Sequence, residues 1–124
     1  VTSMAGSRPD QVWLLETVPD SSPQIHSLVL YDGNQFLPQD IPSDWGDLVS
    51  LWIDPDQRLW LGTSVGVFRK TGEAWEEIFR NQDLEISPTI KVAWQVTGSS
   101  SQDVWFYDSH TSGNRSFVLR YRAN

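Results

Sequence analysis

The sequence contains no cysteine, which excludes a disulfide framework, a thiolate nucleophile and any cysteine-based zinc site. Basic residues are scarce as well: 9 Lys and Arg stand against 16 Asp and Glu, for a formal net charge of −7 at pH 7. No four of those basic residues cluster, so nucleic acid, whose binding draws on phosphate neutralisation, is not an expected partner. Apolar runs stay well short of the roughly 18 residues needed to span a bilayer as a helix, so no membrane segment is expected. Residues 1–25 also lack a basic start followed by an apolar stretch, the mark of a secretion signal. Room for long helices is lacking too, because prolines at 9, 19, 23, 38, 42, 55 and 88 cut the chain into short pieces.

What the chain has in quantity is aromatic side chains: seven Trp, five Phe and three Tyr in 124 residues, with 39% of all residues hydrophobic. That composition belongs to a folded domain rather than a disordered tail. Three segments repeat: SRPDQVWLLET (7–17), DPDQRLWLGTS (54–64) and SSSQDVWFYDS (99–109). Each has a polar turn, an apolar residue, a tryptophan and more strand-forming residues, and the tryptophans, Trp13, Trp60 and Trp105, recur about every 46 residues. Before each lies an apolar segment containing Met4, Trp52 or Trp94; after each lies another strand candidate, followed in the first two by a Gly-containing turn and a further strand.

The central unit shows the full pattern as LVSLWID, RLWLGT, GVFRK and AWEEIF, joined by DPDQ, SVG and TGE. Turns this short force antiparallel neighbours, so each unit is expected to be a four-stranded meander. A four-stranded repeat of about 45 residues has the size of one β-propeller blade. The expected fold is therefore all-β, with blade 1 over 1–37, blade 2 over 48–79 and an incomplete blade 3 over 88–124 that lacks its outer strand. Known propellers close with roughly four to eight blades. Three would leave blade faces open, so the partners expected are other blades, either in a longer chain or in further copies of this one.

The stretch WLGTSVGVFRKTGEAWEEI (60–78) resembles the two-component regulator propeller repeat of bacterial sensor proteins, in which periplasmic propellers precede a histidine kinase. The segments around Trp13 and Trp105 keep the apolar-Trp core of that motif without the Gly-Thr that follows Trp60, and resemble diverged blades. A weaker resemblance is to the virginiamycin lyase-like propellers. The resemblance implies a sensory or interaction propeller in a periplasmic or extracellular setting and leaves the ligand open; a carbohydrate or other small molecule is the candidate ligand, and no cofactor is expected.

Repetition assigns Trp13, Trp60 and Trp105, and by its place in the outer strand Trp75, to packing between blades. Trp52 and Trp94, on the innermost strands, are expected to pack as well. Trp45 differs, because it sits in QDIPSDWGD (39–47), a polar loop without strand period, as either an exposed aromatic contact or an anchor on the sheet. Asp44 and Asp47 beside it, together with His110, Thr111 and Arg115 in the polar loop 109–115, are the candidate ligand-binding residues, since loops held by a scaffold commonly carry recognition. Asp40, Asp44 and Asp47 lack the dense spacing of a calcium loop, and no metal site is expected. His26 and His110 stand alone; His110 as general base of a propeller lyase or hydrolase is the catalytic alternative, but one titratable group is not a constellation. No G-x-S-x-G or H-E-x-x-H occurs, and the chain is not read as an enzyme.

Overall fold

A computed structural model of the chain describes residues 3–8, 11–18, 25–72, 74–84, 92–108 and 118–122. It consists of three antiparallel sheets in sequence order. The first contains β1 (Ser3–Arg8), β2 (Gln11–Val18), β3 (Ile25–Tyr31) and β4 (Phe36–Gln39). The second contains β5 (Leu48–Ile53), β6 (Leu59–Thr63), β7 (Gly66–Thr71) and β8 (Ala74–Arg80). The third contains β9 (Trp94–Ser100), β10 (Asp103–Asp108) and β11 (Val118–Arg122). Within every sheet neighbouring strands are consecutive in sequence, so each is a simple meander like a propeller blade. Among the described residues the only helical pieces are two 3-10 turns, Ser43–Trp45 and Asn81–Leu84. In the third sheet Gly98 and Ser100 pair with Val104 and Asp103 across a bulge.

Turn chemistry explains the hairpins. Between β3 and β4 the Asp32 carboxylate accepts hydrogen bonds from the amides of Asn34 and Gln35, each at 2.9 Å, while Gly33 takes a positive φ of 100°. Those amides hold the Asp32 carboxyl below its ordinary range, Gln35 contributing most. Between β5 and β6 the buried Asp54 carboxylate accepts from the amides of Asp56 and Arg58 at 2.8 and 3.0 Å, and from Trp60 Nε1 at 2.9 Å. One carboxylate thus closes the turn and fixes the indole of the next strand. Asp56 in that turn also accepts a hydrogen bond from the Ser101 hydroxyl of the third sheet.

Strand alternation gives every sheet two faces, and the strand register makes them equivalent from sheet to sheet. On one face Trp13 pairs with Leu30, Trp60 with Arg69 and Trp105 with Arg120. We call this the forward face. On the other, backward, face Leu14 pairs with Val29, Leu61 with Phe68 and Phe106 with Leu119. The two interiors follow from this. Trp13, Leu15 and Leu28, on the forward face of the first sheet, pack against Leu51, Leu59, Leu61 and Phe68, on the backward face of the second. Trp60 and Val67, on the forward face of the second, pack against Trp94, Val96, Val104 and Phe106, on the backward face of the third. β5 touches both β1 and β9, so the first strands of the sheets stand together.

The second sheet is buried on both sides, which is why β6 reads as a continuous apolar run rather than an alternating one. Its Gly62 sits where the third sheet comes closest: a Cβ there would lie 2.1 Å from the Trp94 carbonyl oxygen. Gly62 and Gly66 bracket the turn between β6 and β7, and a Cβ at either would meet neighbouring backbone far inside van der Waals contact, at 2.1 and 2.2 Å respectively.

Trp13 and Trp60 are buried between neighbouring sheets, at 4% and 0% exposure. Trp75 packs edge-on against Trp45 beside the first interior. Trp105 departs from the expectation. It is 40% exposed, because its position faces away from the second sheet and, among the described residues, no sheet covers that side. Val104 and Phe106, its neighbours on β10, provide the packing there.

Candidate functional site

Three connections around the second sheet gather at one end of the stack. The segment 40–47 enters β5, residues 64 and 65 join β6 to β7, and Asn81–Leu84 follows β8. Thr63 shapes the middle one: its hydroxyl donates to the Gly66 carbonyl and accepts from the amides of Val65 and Gly66. Around it the loops are cross-bonded. The Asp47 amide donates to Ser64 Oγ at 2.9 Å, and the Ser64 amide returns a bond to the Asp47 carbonyl at 2.9 Å. Asn81 donates its amide to the Val65 carbonyl at 2.8 Å and its side-chain Nδ2 to the Ser64 carbonyl at 3.0 Å. Its Oδ1 accepts from Trp94 Nε1 at 2.7 Å, tying the loop end to the third sheet.

Arg80 is the ionic link in this group. Its guanidinium binds Glu77 and reaches Asp44 at 3.2 Å, while its amide donates to Asp83 at 3.0 Å. The Glu77 hydrogen bond, outweighing desolvation, raises the Arg80 pKa above its ordinary value, with Asp44 adding to it. Asp40, Asp44, Asp47 and Asp83 are all exposed at this end. Their carboxylates make the rim acidic, and the Asp47 backbone is fixed by its two bonds to Ser64.

Trp45 resolves as the anchor rather than the exposed contact. Its ring is 6% exposed and stacks on Phe68 with centroids 3.8 Å apart and planes inclined by 7°. The Pro42-led 3-10 turn over Ser43–Trp45 drops the indole onto the sheet, and Gly46, at φ 75°, turns the chain back out. A ring face occupied by Phe68 is not available to a ligand, so Trp45 positions Asp44 and Asp47 instead of binding beside them. His110, Thr111 and Arg115 lie outside the described residues. His26 lies in β3 opposite Thr17. Arg80 and Asn81 carry no local signal, because they reach residues 44, 64 and 65 only through tertiary contact.

A second concavity lies at the opposite end, between the first two sheets. It is an open cleft of about 190 Å³ lined by Gln11, Trp13, Gln57, Leu59, Lys70 and Gly72. Among the described residues no group of three or more His, Cys, Asp or Glu is placed to hold a metal ion. No described helix is long and apolar enough to cross a membrane. No family model, curated protein or solved structure matches this chain.

Proposed function

We propose that the chain is a non-catalytic recognition module built from propeller blades, of the kind that senses ligands in bacterial two-component regulators. The observation that supports this reading is the cross-bonded loop end. Residues 40–47, 64–65 and 80–84 come from three separate connections yet are held by Ser64, Asn81 and Arg80 into one unit. Loops ordered in advance lose little conformational entropy when a ligand arrives, which is what a binding surface needs from its scaffold. The exposed carboxylates accept hydrogen bonds and carry negative charge, so they suit a ligand rich in donors, such as a carbohydrate or an amine.

Thermal-shift screening of the purified chain against saccharides and small amines tests this. A ligand at about 100 times its Kd stabilises the folded state by about 2.7 kcal/mol, which is readily read as a rise in Tm. The expected result is a stabilising compound whose effect disappears in the D44A/D47A double variant and survives in D103N, a change on β10 away from the loops. Stabilisation that is indifferent to both carboxylates places recognition elsewhere. Chemical conversion of a compound that stops in H110A replaces the binding reading by the lyase or hydrolase one.

A further inference from the structure

The forward face of the third sheet carries the same construction that closes the interface between the second and third sheets. There Arg69 lies over the Trp60 ring at 5.0 Å from its centroid; on β11 Arg120 lies over the Trp105 ring at the same 5.0 Å. Both arginines are clamped by a carboxylate through two hydrogen bonds, Arg69 by Glu76 and Arg120 by Asp103. The Trp60–Arg69 pair is buried beneath the third sheet, where Trp60 meets Phe106 and Tyr121. Among the described residues no sheet covers the Trp105–Arg120 pair, and Tyr107 and Val118 beside it are 42% and 61% exposed.

At the other end of the stack the complementary surface is also open. In the strand register Leu14 and Tyr31 of the first sheet occupy the positions of Phe106 and Tyr121, the residues that receive Trp60. Met4, paired with Leu14, takes the place of Val96, which is buried in the third sheet; Met4 is 66% exposed. One end thus presents a tryptophan-arginine pair, and the other presents the counterpart of the surface on which such a pair rests, with Leu14 in place of the phenylalanine.

From this equivalence we propose that the forward face of the third sheet docks on the backward face of the first sheet of a second copy. Trp105 then packs on Leu14 and Tyr31 of that copy. The occupant is a second copy because this chain's own first sheet displays the required surface, continuing an interface already built twice within the molecule. Two copies bring together six blades, inside the roughly four to eight at which propellers close, and pairing both ends leaves neither apolar face in water. This goes beyond ligand recognition at the loop end, which needs no second copy.

Light scattering on the purified chain reads the outcome. The expected result is a discrete particle of twice the 14.1 kDa chain mass. W105E and L14E each break both contacts of the pair and yield monomers. An equimolar mixture of the two variants restores one contact, from the intact forward face of one to the intact backward face of the other, and regains the doubled mass. V118K and M4K repeat the test at well-exposed positions, where folding is unaffected, and circular dichroism checks that each variant keeps its strand signal. A wild-type chain that stays monomeric over a wide concentration range overturns the proposal. So does a dimer that survives both face variants, or one that the mixture fails to restore.

Discussion

Asp54 offers the most direct test of how the central sheet is held. Its carboxylate accepts from Trp60 Nε1 and from the amides of Asp56 and Arg58, so D54A strands three donors at once. The indole is fully buried, and leaving such a donor without a partner costs about 1–3 kcal/mol. The two turn amides are closer to solvent and recover part of their loss from water, leaving roughly 0.5–1 kcal/mol each. D54A is therefore expected to destabilise the chain by about 3 kcal/mol, or roughly 10 °C in Tm for a domain of this size. D54N keeps an oxygen for the turn but offers an amide hydrogen where the indole also donates, so it recovers little of the Trp60 share if its oxygen faces the turn. The decisive measurement is a double-mutant cycle with W60F, followed by urea unfolding and circular dichroism. W60F removes the indole donor, so D54A should cost about 1–2 kcal/mol less in that background than in the wild type. If the two changes prove additive within about 0.3 kcal/mol, the buried hydrogen bond contributes nothing and the reasoning fails.

G62A should destabilise by about 1–3 kcal/mol or more, because its Cβ would lie 2.1 Å from the Trp94 carbonyl oxygen and 2.7 Å from Ser50 Oγ; thermal unfolding measures it. G72A has open space around its Cβ and only a φ of 63° to contend with, so it should cost about 1 kcal/mol, clearly less than G62A. W45A removes a buried ring stacked on Phe68 and should cost about 3–5 kcal/mol, with faster hydrogen exchange at residues 44–47 than elsewhere in the second sheet. Acid should destabilise the fold. Hydrogen bonds from Arg69 and Arg120 hold the carboxyls of Glu76 and Asp103 below their ordinary values of 4.5 and 3.8. Groups with folded pKa values depressed in this way contribute stability in full above the ordinary values and lose it as pH falls through the folded ones. Urea midpoints should therefore drop on descending through that window, and less steeply in E76Q; an unchanged slope in E76Q would show that its pairing with Arg69 is not linked to folding.

The repeated tryptophans, the short turns and the alternation of the outer strands were legible in the sequence because they are local: a Gly or Asp turn and a period of two specify a meander without reference to anything distant. Three sheets of four, four and three strands follow from that. Burial does not, since it depends on what stands opposite. Trp60 and Trp105 occupy the same register position, yet one is sealed under the third sheet and the other open, a difference no local pattern encodes. Trp45 is the same lesson in a loop, where the sequence left an exposed contact and an anchor both open and the 3-10 turn over Ser43–Trp45 lowered the ring onto Phe68. Gly62, beside a short turn in the sequence, is a point of close approach between two sheets. The sequence alone determined the strands, their order and the residues that repeat. The tertiary structure decided which copies of each repeat are covered and which loops meet, because both are set by contacts between residues far apart in the chain.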